Sequence, residues 1–204
     1  MGLLGPNGSG KTTLFDALSG HLKPRAGHVL LSGKDVTGVA PHRMARLGLG
    51  LVPQGPSVFP DLSVLDNLRA ALDAPASRRT LGADALDEVL VHWRLEHLVG
   101  RKAAVLSGGE RRRLEVARTL LLEPAVLLLD EPFAGLDPAG RGALRSGLDR
   151  LPRATALLMT DHAADDVLAT CERVLVLIDG KLVTDAKAVD FARDSPRHRR
   201  YFGA

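Results

Sequence analysis

The sequence predicts an α/β fold in which helices flank a mostly parallel sheet, and three observations support it. Short apolar segments alternate with helical segments through the last third of the chain, which is the pattern of parallel strands joined by right-handed crossovers. A glycine-rich loop that ends in Lys11 and Thr12 joins the first apolar residues to a helix, as phosphate-binding loops do. A fully apolar segment at 126–129 ends in two acids, Asp130 and Glu131, which suits a strand buried in the same sheet.

The first third of the chain predicts three strands that alternate with two helices. Residues 1–4 are expected to form the end of a strand that feeds the glycine-rich loop and lies in the centre of its sheet. Pro41 favours a helix start because its fixed φ suits the first helical turn. The expected elements are a helix at 12–19 ended by Gly20, a strand at 28–32, a helix at 41–47 ended by Gly48 and a strand at 49–52.

The middle of the chain, from 55 to about 122, predicts an inserted helical subdomain. Ser63 opens a capping box and Ser107 caps a long helix. The expected elements are a helix from Ser63 to 72, a loop at 73–79, a helix at 83–93 that ends in the core residue Trp93, and a helix from Ser107 to 122. The exposed face of this last helix is expected to carry Arg111, Arg112 and Arg113.

The last third predicts strands and helices in regular alternation. The expected elements are strands at 126–129, 155–159 and 174–178, helices at 138–150 and 163–169, and a final strand at 182–184. Asp179 and Gly180 form a tight hairpin turn before that final strand.

The composition bounds the class of protein. The chain has 204 residues, of which 45% are hydrophobic, and a net charge of +3, which predicts a single soluble domain over 1–204. The single cysteine, Cys171, excludes an internal disulfide and fits a reducing cytosol. Apolar runs such as 174–178 are too short to cross a bilayer, so any action at a membrane would need another subunit.

Basic residues cluster only near the end of the chain. The pI of 9.3 reflects many arginines, but the one cluster is Arg193, Arg197, His198, Arg199 and Arg200. A solvated tail explains this cluster better than a nucleic-acid surface, so no nucleic-acid partner is expected.

The glycine-rich loop has the pattern G-x-x-x-x-G-K-[ST] at residues 5–12. Its glycines let several backbone N–H groups point at one anion. Lys11 is expected to bind the β- and γ-phosphates of a nucleotide, and the Thr12 hydroxyl to ligate Mg²⁺. The predicted nucleotide-binding residues here are Gly5, Pro6, Asn7, Gly8, Ser9, Gly10, Lys11, Thr12 and Thr13.

The two acids after the strand at 126–129 complete a hydrolytic set. Asp130 is expected to hold Mg²⁺ opposite Thr12, and Glu131 to polarise the water that attacks the γ-phosphate. A second anion site is predicted at 106–110, Leu-Ser-Gly-Gly-Glu. Ser107, Gly108 and Gly109 combine exposed N–H groups, a hydroxyl and a helix N-terminus. One nucleotidase site does not require this second site, so each nucleotide is expected to be bound from two sides.

Residues 106–110, with these neighbours, resemble the signature motif of ATP-binding cassette (ABC) ATPases, which are P-loop NTPases. The resemblance covers the whole chain and implies further roles. It implies that Gln54 ligates Mg²⁺ and senses the membrane subunit, that residues 134–137 are the D-loop with Asp137 among the nucleotide-binding residues, and that His162 contacts the γ-phosphate. It also implies a homodimer closed head to tail around two ATP molecules, in which Ser107 and Gly109 complete the partner's site.

Within that family the chain resembles the ATPases of lipopolysaccharide export and of branched-chain amino-acid import. The first likeness is carried by residues 106–113, 130–135, 160–162, 171–173 and 200–203, and residues 58–64 suit the second equally well. The resemblance implies an ATPase held at the inner face of the cell membrane by transmembrane permease subunits. The apolar residues 58–60 either line the groove that receives a permease helix or belong to the subdomain core.

The chain departs from the family pattern in two places. An antiparallel β subdomain with an adenine-stacking aromatic normally precedes the phosphate loop, and here it is incomplete, which predicts that residue 1 lies inside a longer reading frame. Ala163 also stands where relatives usually have Asp or Asn.

Two other classes of function remain open. A soluble cassette acting on DNA or ribosomes would carry a coiled coil or a tandem repeat, neither of which is present. A non-catalytic nucleotide-binding remnant is disfavoured because every hydrolytic residue is present.

Overall fold

A computed structural model describes residues 1–74, 84–162 and 164–193. The predicted loop beyond residue 74, the helix position 83, Ala163 and the basic tail from 194 on lie outside them. The strands are β1 Gly2–Leu4, β2 Leu30–Leu31, β3 Lys34–Asp35, β4 Leu49–Val52, β5 Val126–Asp130, β6 Ala156–Thr160, β7 Arg173–Ile178 and β8 Lys181–Lys187. The helices are α1 Lys11–Ser19, α2 Pro41–Leu47, α3 Val64–Leu72, α4 Asp84–Trp93, α5 Gly108–Leu120, α6 Pro138–Leu148, α7 Ala164–Thr170 and α8 Ala188–Arg193.

The main sheet has six strands in the order β4-β5-β6-β1-β7-β8. All neighbouring pairs are parallel except the β7–β8 hairpin. The α/β prediction is therefore confirmed, as is the central position of β1, which pairs with both β6 and β7. The carboxyl ends of β1, β4, β5 and β6 meet at one edge of the sheet, and this edge carries the candidate site.

Buried side chains form two cores, one on each face of the sheet. Phe15 of α1 and Met44 of α2 lie in one core, and Trp93 of α4 lies in the other. Trp93 packs so closely on α6 that a Cβ at Gly147 would lie 2.3 Å from its ring. The prediction that Trp93 is a core residue is confirmed, and burying a large aromatic of this kind is worth about 1.5–3 kcal/mol.

The structure corrects one expectation and adds elements that the sequence analysis missed. Arg112 and Arg113 are buried rather than on the exposed face of α5, because both guanidinium groups hydrogen-bond to backbone carbonyls. The strand predicted at 28–32 is shorter and pairs with the unpredicted β3. The last strand continues to Lys187, and α8 follows it.

No helix within the described ranges is long and apolar enough to cross a bilayer. Helices α3, α4 and α5 fall within residues 55–122, and the assignment of that stretch to a separate helical subdomain stays a prediction.

Candidate nucleotide-binding site

The phosphate loop joins β1 to α1, and its shape depends on glycine. Gly8 and Gly10 have φ angles of 77° and 101°, which side chains with a Cβ rarely adopt. A Cβ at Gly5 would lie 2.3 Å from the Leu177 carbonyl oxygen. The first turn of α1 contains no acidic residue, so nothing in that turn offsets the positive end of the helix dipole.

Lys11 is the first residue of α1, and its ammonium group is held inside the loop. Its Nζ donates to the carbonyl oxygens of Gly5 at 2.8 Å and Pro6 at 3.1 Å. The side chain is only 6% exposed, and burial lowers the pKa of Lys11, although Glu131 and Asp130 act in the opposite direction. The nearby acids therefore offset part of the cost of keeping this cation at the loop. Thr12 and Thr13 follow on the exposed side of the same turn.

The loop fits an anionic ligand. The Ser9 hydroxyl is buried, with no hydrogen-bond partner among the described residues, although buried hydroxyls normally have one. A Cβ at Gly8 would meet no atom within 4 Å, so the loop is open on that side. An unpaired hydroxyl, a buried cation and a helix N-terminus together suit the phosphates of a nucleotide.

The two acids lie at the carboxyl end of β5. Burial raises the pKa of Asp130, and the neighbouring carboxylates of Glu131 and Asp16 raise it further. Glu131 has a φ of 47°, a strained conformation for a residue with a Cβ. Its N–H donates to the Thr160 carbonyl oxygen at 2.8 Å, which holds the turn against the end of β6.

Two predicted site residues contact the carboxylate of a third, Glu131. Gln54, two residues after β4, donates from Nε2 to Glu131 Oε2 at 2.7 Å. His162, two residues after β6, places Nε2 at 2.6 Å from Glu131 Oε1. Each comes from a different strand end, so the sheet order itself brings them together.

Arg112 of α5 holds this edge of the sheet and was missed by the sequence analysis. Its Nη2 donates to the carbonyl oxygens of Asp130 at 2.8 Å and Glu131 at 3.0 Å. Its Nη1 donates to Pro53 O at 2.7 Å and lies 2.9 Å from Glu115 Oε2. One guanidinium therefore fixes the backbone beside Gln54 and beside both acids. The available signal was Glu115, three residues further along the helix, where an acid can pair with a buried arginine.

Residues 106–110 form the N-terminus of α5 and lie apart from the phosphate loop. Ser107 Oγ accepts from the Glu110 N–H at 3.3 Å, and Glu110 Oε2 accepts from the Ser107 N–H at 2.8 Å. The Ser107 N–H lowers the pKa of Glu110. A Cβ at Gly108 would lie 3.8 Å from Leu136, in the loop before α6, and one at Gly109 would lie 3.2 Å from Gly140 of α6. Among the described residues, no hydrogen bond joins Ser107, Gly108 or Gly109 to the phosphate loop.

A groove of about 580 Å³ runs along this helix N-terminus. Its lining includes Ser107, Gly108 and Gly109 together with Gly135, Leu136 and Asp137. Asp137 caps α6, since its Oδ1 accepts from the Gly140 N–H at 2.7 Å. The second predicted anion site is therefore accessible from outside the chain.

The predicted Mg²⁺ ligands are Thr12, Gln54 and Asp130, a set with one carboxylate. Within the described ranges there is no group of three or more His, Cys, Asp or Glu side chains that could hold a metal ion. An ion held by few protein oxygens together with phosphates is typical of Mg²⁺ in nucleotide sites. The ligand set stays a prediction.

Comparison with known sequences relates this chain to one family. Residues 1–134 match the family described as ABC transporter. The lipopolysaccharide export system ATP-binding protein LptB of Acidithiobacillus ferridurans is 40% identical, over 100% of this chain and 85% of that protein. The protein of the same name from Escherichia coli (strain K12) is 38% identical, with coverage of 100% and 85%.

Solved structures give the same relation at lower identity. The ADP conformation of an ATP-binding cassette of an ABC transporter matches with a TM-score of 0.82 and 26% identity, over 100% of this chain and 87% of that chain. The cbiO1 protein from Clostridium perfringens, part of the ABC transporter complex cbiONQ, matches with a TM-score of 0.81 and 29% identity, over 98% and 81%.

Proposed function

Because this chain belongs to the ABC transporter family and is an ATP-binding subunit of that family, we propose that it hydrolyses ATP to power a membrane transporter. The observation that carries the proposal is the convergence of Gln54 and His162 on the Glu131 carboxylate. The buried Lys11 ammonium is close enough to Glu131 for the two charges to interact. A carboxylate, an imidazole and a cation at the mouth of a phosphate loop are the groups that phosphoryl transfer to water needs.

Each of these groups has one task in the reaction. Lys11 turns from the loop carbonyls to the β- and γ-phosphates. Glu131 accepts a proton from the attacking water, and Gln54 and His162 hold the carboxylate in place for it. His162 also donates to the γ-phosphate as charge develops there. Mg²⁺, held by Thr12, Gln54 and Asp130, would neutralise phosphate charge.

The second anion site supports a homodimer. ABC ATPase subunits dimerise, and the N-terminus of α5 is capped, accessible and free of hydrogen bonds to the chain's own phosphate loop. Two copies arranged head to tail would place Ser107, Gly108, Gly109 and Asp137 of one copy over residues 5–12 of the other. Such an arrangement has twofold symmetry and closes on itself.

The transported molecule that the comparisons favour is lipopolysaccharide. Several of the matched relatives are named as lipopolysaccharide export ATP-binding proteins and align over the whole of this chain. The protein would then lie at the inner face of the cell membrane, bound to permease subunits.

The loop at 58–62 is the surface we assign to the permease. Phe59 is 48% exposed, and the Arg118 guanidinium stacks 4.7 Å from its ring centroid. Asn67, fully buried, accepts from the Phe59 N–H at 2.8 Å and donates to the carbonyl oxygens of Phe59 and Leu62. A rigid loop with an exposed aromatic side chain is suited to pack against a helix of a partner protein. Phe59→Asp should therefore abolish transport in cells without lowering the ATPase rate of the isolated subunit.

The proposed ATPase dimer is tested by the mass of a Glu131→Gln variant with and without Mg-ATP. Without its base the variant should bind ATP, fail to hydrolyse it and accumulate as a dimer. A monomer that ignores Mg-ATP at concentrations that saturate binding would contradict the proposal.

A further inference from the structure

One charge cluster lies outside the proposed hydrolytic site, where two arginines of α6 bond to a buried carboxylate of α7. Asp166, in the first turn of α7, is 5% exposed. Arg141 of α6 donates from Nη1 to Asp166 Oδ2 at 2.5 Å, and Arg145, one turn further on, donates from Nη2 to Asp166 Oδ1. A buried carboxylate with two guanidinium partners fixes the relative position of the two helices.

Arg141 makes a further contact that distinguishes it from Arg145. Its Nε donates to the Leu136 carbonyl oxygen at 3.1 Å, in the loop that precedes α6. The Nε of Arg145 is buried and has no hydrogen-bond partner in the part of the chain that the structure describes. Of the two arginines, Arg141 is therefore the one that ties the loop at 134–137 to α7.

Both ends of this bridge lie beside groups of the proposed site. Leu136 lines the groove at the N-terminus of α5 together with Ser107 and Gly109, the surface assigned above to the second copy. At the other end, α7 begins two residues after His162, whose ring contacts Glu131. The planar guanidinium spans the two because its donors point in fixed directions.

We propose that Arg141 is a positioning residue that couples the loop at 134–137 to His162. The inference rests on the proposed function, since it concerns how docking of a second copy sets the geometry of hydrolysis. A shift of Leu136 on docking moves Arg141, Asp166 and the start of α7 as one unit. Docking of the second copy then sets the position that His162 takes against the γ-phosphate.

The test compares Arg141→Met with the matched control Arg145→Met, each in the full chain. Both variants remove one guanidinium from Asp166 at similar depth, so their melting temperatures should fall by similar amounts. Arg141→Met should lower kcat about tenfold and leave KM for ATP within about twofold, because it misplaces a group needed only in the transition state. Arg145→Met should leave both kcat and KM within about twofold of wild type.

A conservative variant and a binding assay separate coupling from simple loss of packing. Arg141→Lys keeps a charge near Asp166 but lacks a fork that serves Leu136 as well, so its kcat should lie between wild type and Arg141→Met. This variant also serves as the test if Arg141→Met fails to fold. In a Glu131→Gln background, Arg141→Met should still form the ATP-dependent dimer, which places the defect after binding.

The outcomes are distinguishable. If wild type does not hydrolyse ATP, the proposed function fails and the inference fails with it. If wild type hydrolyses ATP but Arg141→Met and Arg145→Met lose the same share of kcat, the proposed function stands and the inference alone is wrong.

Discussion

The two predicted anion sites of this chain differ in how they are built. The groups of the phosphate-loop site contact one another. Lys11 donates to carbonyl oxygens of its own loop, and Gln54 and His162 both contact the Glu131 carboxylate. At the N-terminus of α5, Ser107 and Glu110 bond to each other in a capping box, and the helix end lines a groove. In the proposed dimer, the first site supplies the chemistry for a nucleotide held by its own chain, and the second is a surface for a nucleotide held by the other copy.

Arg112 links the two sites, and its removal should have the largest effect. It lies on α5, about one turn from Ser107, and bonds to the backbone of Asp130, Glu131 and Pro53. Arg112→Met removes the ion-pair partner of the buried Glu115 carboxylate, so the free energy of unfolding in urea should fall by about 3–5 kcal/mol. Arg111→Met is the control and should cost less than about 1 kcal/mol, because Arg111 is only partly buried. Equal losses in the two variants would contradict this account of the link.

Glu131→Gln alters the phosphate-loop site and leaves the N-terminus of α5 unchanged. Loss of the general base should lower kcat by about 10²–10³-fold, with ATP affinity measured by titration within about threefold of wild type. A variant that retains more than a third of the wild-type rate would show that another group acts as the base.

Ser107→Arg alters only the N-terminus of α5. The added side chain fills the groove where a second copy would present its nucleotide, so hydrolysis should fall by about tenfold or more. Binding of ATP to the monomer should be unchanged, because no hydrogen bond joins Ser107 to the chain's own phosphate loop. Ser107→Thr, which keeps a capping hydroxyl, should retain most of the rate. A parallel loss of monomer binding in Ser107→Arg would mean that the two sites are not independent.

Asp130→Asn tests whether a residue of the phosphate-loop site lowers the stability of the fold. Burial and the neighbouring Glu131 raise the pKa of Asp130, so the ionised carboxylate costs folding free energy. The variant should lose hydrolysis but gain about 1 kcal/mol of stability, or about 2–4 °C in Tm for a domain of this size.

The pH dependence of that gain has a definite sign. The pKa of Asp130 is raised in the folded protein, so its ionisation opposes folding above that pKa and has no effect below the unfolded value. The advantage of asparagine should therefore be absent below about pH 4, increase as the pH rises and level off once the carboxylate is ionised. An advantage that is largest at low pH would contradict the sign of this shift.

The phosphate loop and the acids after β5 were predictable because their chemistry requires fixed residues at fixed spacing. Gly5, Gly8 and Gly10 occupy positions that exclude a Cβ or need a positive φ. The apolar residues at 126–129 predict a buried strand. The meeting of Gln54 and His162 at Glu131 was not predictable in the same way. It depends on β4, β5 and β6 being neighbours in the sheet, and the order of strands in a sheet cannot be deduced from the local sequence pattern.

The errors have physical causes as well. Three consecutive arginines after the signature residues predict a solvated helix face, but Arg112 and Arg113 donate to buried carbonyl oxygens and so belong to the core. The β2–β3 hairpin was missed because each strand has two residues, too few for periodicity. Its signal was Ser32-Gly33, both with positive φ, as a two-residue hairpin turn requires.

The most direct measurement mixes two impaired variants, Lys11→Met and Ser107→Arg, and follows ATP hydrolysis. A dimer that contains one copy of each variant has one site with both defects and one site with neither. If each nucleotide is held between two copies, an equal mixture should regain about a quarter of the wild-type rate, since half of the dimers are mixed and each has one complete site. A mixture no more active than its components would contradict the central claim that the two predicted anion sites of one chain serve different nucleotides.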